Sequence, residues 1–155
     1  MADHDIIELE QLIYRYAAAV DACDVDELFR CCDVIALCCP LTPQTRGLVN
    51  ATRLARAKPS LILINAARGA VVDGPALLSA LDSGRIRGAV LDTHDPTPLP
   101  ADSPFFILPN VLLTPHIAGI TQDSLERIGE VAVSEMIRLL DGERPHHLCN
   151  PGIFA

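Results

Sequence analysis

No stretch of the 155 residues approaches eighteen consecutive apolar positions, so no membrane-spanning segment is expected. Lysine is nearly absent: Lys58 stands alone beside the arginines, and the formal net charge is −8. An acidic surface of that kind excludes sequence-independent binding to nucleic acid or to anionic membranes. The first residues, MADHDIIELE, hold no basic stretch leading into an apolar core, so no secretory signal is expected and a cytoplasmic location follows. Glycine never recurs with one residue between, which removes the G-x-G-x-x-G turn; Lys58 has no glycine before it, which removes the P-loop. No serine sits between two glycines in the G-x-S-x-G pattern of a nucleophile elbow. There is also no C-x-x-C.

The six cysteines are Cys23, Cys31, Cys32, Cys38, Cys39 and Cys149. Without a secretory signal a disulfide framework is not expected. The two CC pairs suggest metal at first sight. Adjacent residues on a strand point to opposite faces, so such a pair cannot readily chelate one ion, and the cysteines are read as small buried residues. His146-His147 lies near the C-terminus and is not expected to hold metal. No metal site is assigned.

What is present is a well-populated apolar core. Half of the residues are hydrophobic and 21% are charged, too apolar for a disordered acidic tail, and the length suits one ordinary domain. Residues 5–22 read as an amphipathic helix, with Ile6, Leu9, Ile13, Tyr16 and Val20 at three- and four-residue steps. Asp24 can cap a short helix through Arg30. The run VIALCC at 34–39 reads as a parallel strand buried on both faces. A short helix follows Asn50, and LILIN at 61–65 is a second buried strand. Asp73 and Pro75 open a helix that Gly84 closes. GAVLD at 88–92 is a third strand and VLLT at 111–114 a fourth. Between them, five prolines mark residues 93–110 as a long loop. Thr121 caps a long helix over 122–141, closed by Gly142, whose apolar residues could seek a partner.

Strands alternating with helices predict a parallel sheet with helices on both faces. Ligands of such sheets sit beyond the carboxyl ends of the strands. Cys39-Pro40, Ala66-Ala67-Arg68, Asp92 and Thr114-Pro115-His116 occupy those ends. Arg68 could hold a carboxylate through its planar fork or form a surface ion pair. His116 could exchange a proton near neutral pH or serve structure alone. Asp92 could hold a hydroxyl or amide, or cap a turn. Arginine, aspartate and histidine on one sheet edge favour a site more than any one of them does.

These residues lie in four segments, DVIALCCPLTPQTRGLVN, LILINAARGAVVD, GAVLDTHDPTPLP and NVLLTPHIAG. In order and spacing the region from Glu27 to Pro151 resembles the C-terminal half of the D-isomer-specific 2-hydroxyacid dehydrogenases. The resemblance implies NAD or NADP as cofactor and a small 2-keto or 2-hydroxy acid as substrate, with hydride moving between the nicotinamide and C2. It implies that Arg68 clamps the substrate carboxylate and that His116 supplies or removes the proton on the C2 oxygen. Asp92 would contact the nicotinamide end. Cys39, the backbone at Ala66, Ala67 and Arg68, and the stretch His116, Ile117, Ala118 and Gly119 would line the cofactor. The family also uses a glutamate five residues after that aspartate, paired with the histidine.

Two departures follow. The position of that glutamate is Thr97, whose hydroxyl cannot stabilise an imidazolium as a carboxylate does. Asp95, two residues away, could substitute if the loop shifts. The family's glycine-rich turn and its acidic ribose contact have no counterpart, so four strands stand where a complete dinucleotide fold has about six. In their place, DIIELEQLIYRYAAAVDACDVDELF at 5–29 resembles the first helix and turn of SnoaL-like proteins of the NTF2-like superfamily.

The expectation is an α/β chain: an incomplete Rossmann-like parallel sheet of about four strands with flanking helices, plus an extra N-terminal helix. Residues 1–26 form the SnoaL-like segment and 27–151 the partial NAD-binding domain. By resemblance it is an NAD(P)-dependent oxidoreductase acting on the CH–OH group of 2-hydroxy acids, truncated and inactive alone. Another chain could supply the missing half. The alternative is a non-catalytic binding or oligomerisation module, with a homo-oligomer covering the sheet edge.

Overall fold

The computed structural model describes residues 24–154. The helix expected at 5–22 and the SnoaL-like stretch before Asp24 lie outside the described residues. The chain divides into two compact units, residues 1–116 and 117–155.

The first unit carries four strands: β1 (Val34–Leu37), β2 (Ile62–Asn65), β3 (Gly88–Leu91) and β4 (Val111–Leu113). They form one parallel sheet in the order β1-β2-β3-β4. The architecture is the α/β parallel sheet that the alternating pattern predicts, each strand one or two residues shorter than its apolar run. Three helices accompany it: α1 (Val25–Cys31), α2 (Ala51–Arg56) and α3 (Gly74–Asp82). Each starts at a side chain that caps its free amides. Asp24 accepts from Glu27 N, Asn50 from Arg53 N and Asp73 from Ala76 N. Gly84 adopts a positive φ of 67° just beyond α3, where a side chain would be strained.

Among the described residues of the first unit, the helices do not cover both faces. α1 contacts α2 and α2 contacts α3, so the three form one layer. Phe29, Leu54, Leu77 and Leu81 pack from that layer onto Ile35, Leu37, Leu63 and Leu91 in a single core. Residues alternate along a strand, so the registered row Ala36, Ile64, Val90 and Leu112 faces away from this core. Val34 is 55% exposed and Leu112 59% exposed. The sequence reading took an unbroken apolar run to mean burial on both faces. In β1 and β2 burial instead alternates, because within the first unit the described helices form one layer on one side.

Asp26 ties α1 to α2: Arg53 Nε donates to its Oδ1 at 2.6 Å and Arg56 Nη1 to its Oδ2 at 3.2 Å. Arg53 holds the Asp26 carboxyl below its ordinary range. The cysteines are less uniform than expected. Cys31 is buried, but Cys38 is exposed, because β1 ends at Leu37 and releases the chain there; Cys149 is exposed as well.

The second unit is built on α4 (Gln122–Leu140). Thr121 and Ser124 form a reciprocal capping box, and Gly142 follows the helix with a φ of 76°. Leu125, Ile128, Met136 and Leu140 are exposed. No helix among the described residues is long and apolar enough to cross a membrane.

Candidate active site at the carboxyl edge of the sheet

In a parallel sheet all carboxyl ends lie along one edge, and here that edge carries two larger cavities and a smaller space beside Gly69 that Asn65, Thr93 and His94 also line. Neighbouring strands share them pairwise. The ends of β1 and β2 enclose about 550 Å³, lined by Cys38, Cys39, Pro40, Leu41, Ala66, Ala67 and Arg68. The ends of β3 and β4 enclose about 450 Å³, whose wall includes Asp92, Thr93, His94, Thr97, Thr114 and His116.

The first cavity is shaped by Asn65, the last residue of β2. It is 1% exposed, and its side chain replaces the ladder bonds that end there. Its Oδ1 accepts from Ala67 N at 3.1 Å and its Nδ2 donates to Arg68 O at 3.1 Å. The backbone at Ala66, Ala67 and Arg68 is thereby held in a fixed turn. The Arg68 side chain is exposed, and its Nη1 donates to Ala67 O at 2.8 Å. Among the described residues it pairs with no carboxylate. Asn65 is a site-shaping residue that the sequence reading passed over; its signal was a polar residue ending a buried apolar run.

Gly69 follows that turn and packs directly against the backbone of His94 and Asp95. A Cβ at Gly69 would fall inside those atoms, so only glycine fits. This contact joins the turn after β2 to the turn after β3.

In the second cavity Asp92 is 4% exposed, and the Thr114 hydroxyl donates to its Oδ1 at 2.6 Å. That bond links the ends of β3 and β4 and supplies the partner a buried carboxylate needs. His116, two residues on, is a non-glycine residue at a φ of 62°. Left-handed backbone in such a residue costs energy and concentrates at functional sites. Thr97 lines the same cavity, and its hydroxyl donates to His94 O at 2.5 Å. Asp95 is exposed and lines a smaller space beside Gly69 rather than the cavity of His116.

Of the predicted residues, Asp92 and His116 therefore share one cavity, while Cys39, Ala66, Ala67 and Arg68 share the other. Ile117, Ala118 and Gly119 belong to the second unit, where they lead into the capped start of α4. The sequence reading missed Thr93 and His94. Thr93 is 5% exposed and its hydroxyl has no hydrogen-bond partner. His94 is half-buried.

The edge can do two things chemically. The fixed turn at 66–68 offers backbone groups and a guanidinium to an extended, oxygen-rich ligand. The second cavity offers a carboxylate, an imidazole and hydroxyls to a small polar one.

Comparison with known proteins gives a consistent picture. The sequence profile of the D-isomer specific 2-hydroxyacid dehydrogenase NAD binding domain matches residues 6–118, starting inside the 1–26 segment. Glyoxylate/hydroxypyruvate reductase B of Citrobacter koseri is 42% identical over 131 residues, which is 84% of this chain and 40% of that protein. A Thermus thermophilus protein superposes with a TM-score of 0.73 at 45% identity, covering 79% of this chain and 39% of the other. A D-isomer specific 2-hydroxyacid dehydrogenase of Xanthobacter autotrophicus, solved with NADPH and MES, gives 0.71 at 37% identity, covering 84% and 53%. The chain spans about 40% of the length of the curated relatives it matches.

Proposed function

This chain belongs to the D-isomer specific 2-hydroxyacid dehydrogenase family, and from that premise we propose that its sheet edge forms the nicotinamide- and substrate-side portion of an oxidoreductase site for small 2-hydroxy or 2-keto acids. Asp92, Thr114 and the strained His116 around one cavity carry the reading.

The residues present fit the nicotinamide end of NAD or NADP. The Asp92 carboxylate, buried and held by Thr114, suits a carboxamide. The turn at Ala66, Ala67 and Arg68, with Cys39 lining the same cavity, would hold the cofactor. When bound, the cofactor supplies hydride transfer to or from C2. Arg68 would grip the substrate carboxylate, and His116 would pass a proton to or from the C2 oxygen. Thr97 stands where the family places a glutamate, and its hydroxyl is donated to His94 O.

The 155 residues hold no glycine-rich turn for the pyrophosphate, so this chain alone does not turn over. Residues 27–151 carry the site. The test is NADH or NADPH oxidation with glyoxylate or hydroxypyruvate. No steady oxidation is expected; oxidation that His116→Ala abolishes would overturn the inactivity.

One observation favours a second reading. Arg68 and His116 line different cavities and Thr97 is engaged with His94, as suits a non-catalytic binding or oligomerisation module. β1 has an outer edge with no strand against it among the described residues, where a second copy could pair. A dimer in solution with no affinity for nucleotide or 2-hydroxy acid would favour this reading.

A further inference from the structure

We propose that Cys31 and Cys32 form a dithiol site, away from the carboxyl edge of the sheet, that takes a monosubstituted trivalent arsenical through both sulfurs.

The sequence reading set the CC pairs aside because neighbours on a strand point to opposite faces. That argument holds only on a strand. Cys31 is the last residue of α1, and Cys32 leaves the helix with extended backbone, at φ −88° and ψ 144°. The change of backbone between the two residues brings their side chains together, and the sulfurs lie 3.7 Å apart. Two sulfurs on one centre, with bonds of about 2.3 Å and near-tetrahedral angles as in zinc thiolates, lie roughly 3.8 Å apart. The pair therefore already stands close to the spacing that a shared centre needs. Cys31 Sγ is also held from behind, donating to Leu28 O at 3.9 Å. The segment is anchored on both sides. Phe29 is buried in the core just before it, and Asp33 just after it accepts from Lys58 and Ser60.

The ligand class follows from the number of sulfurs. Among the described residues no group of three or more metal-binding side chains gathers, so an ion that asks for four protein ligands is poorly served. A monosubstituted trivalent arsenical brings its own carbon and needs only two thiolates. Each thiol gives its proton to the arsenic-bound oxygen. Two S–As bonds form, the As–O bond breaks, and one water leaves. Arsenic stays trivalent and neither sulfur is oxidised. Cys31 is 3% exposed, so the arsenical enters at the half-buried Cys32 and then closes onto its neighbour. The closing step is intramolecular, which favours the chelate over two separate single-sulfur adducts. Cys38 and Cys39 are equally adjacent in sequence but lie beyond the end of β1, with Cys38 exposed. They are the internal control, since they share the adjacency without the helix end.

The test treats the reduced 155-residue chain, freed of reductant, with one equivalent of phenylarsine oxide. Intact mass should show one arsenical gained less one water, and the free-thiol count should fall by two. Peptide mapping should place both losses at Cys31 and Cys32, with Cys38 still open to iodoacetamide. 2,3-Dimercaptopropanol should strip the adduct, while the same excess of glutathione should not. Cys31→Ser and Cys32→Ser, each checked for a native amide spectrum, should each weaken retention against glutathione at least about 100-fold. Cys32→Ser changes only the half-buried member and keeps the test open if Cys31→Ser does not fold. Cys38→Ser should leave retention unchanged. An adduct at Cys38 and Cys39, equal adducts at both pairs, a single-sulfur adduct, or no adduct overturns the inference.

Discussion

Replacing Thr93 with valine should make the protein more stable. Valine keeps the β-branched shape and exchanges only the hydroxyl for a methyl. In a strand-end position that is 5% exposed, the steric change is slight. The energetic change is not, because the Thr93 hydroxyl has no partner. A buried hydroxyl with its hydrogen bonds unmade costs about 1–3 kcal/mol relative to its hydrated state. Removing it returns much of that, so Thr93→Val is expected to gain about 1–2 kcal/mol. Urea denaturation at 25 °C reads this directly. With a slope of about 1–3 kcal/mol per molar, the midpoint should rise by roughly 0.5–1 M at an unchanged slope. A midpoint that falls instead would mean the hydroxyl is satisfied in the folded state, and the reasoning from an orphaned group would be refuted. A position where the better-folding residue is absent marks a site kept for something other than stability.

Three further outcomes follow from the same contacts. Gly69→Ala places a methyl against the His94–Asp95 backbone; it should lower the urea midpoint by the equivalent of about 1–3 kcal/mol and shift the amide resonances of 93–97, and an unchanged midpoint would contradict the packing. Asp26 has its carboxyl held low by Arg53, so it contributes stability above its unfolded-state pKa, lost as pH falls through the lower folded value. Asp26→Asn should therefore flatten the fall of the urea midpoint between about pH 5 and pH 2.5; equal slopes would argue against the link. Burial, with a hydrogen bond from the Cys32 thiol to Cys31, pushes that thiol up to about 11, so iodoacetamide at about pH 8 should label the exposed Cys38 and Cys149 well before Cys32, as mass mapping would show.

The strands were legible because each is a short apolar run bounded by turn residues, and the helix starts because Asp24, Asn50, Asp73 and Thr121 each cap as their chemistry suggests. The one-sided covering of the sheet was not legible. VIALCC reads the same whether helices lie on one face or two, since what covers a strand comes from elsewhere in the chain. The site was half legible. Placing Asp92 and His116 at strand ends required only the parallel topology. The close approach of Gly69 to the His94 backbone, which joins the turns after β2 and β3, is a contact between residues far apart in sequence. Thr93 and His94 carried no sequence signal of their own: a threonine and a histidine in a proline-rich loop acquire meaning only when one hydroxyl is found buried and unpaired.

The central claim is that the cavity around His116 takes a small 2-hydroxy acid. Glycolate, the smallest such acid, tests it without requiring turnover. Titrated into the chain and followed by the His116 imidazole and the amides of 92–98 and 114–116, it should give one saturable set of shifts confined to that cavity and lost in His116→Gln. No shift at His116, or shifts that persist unchanged in His116→Gln, would contradict the account.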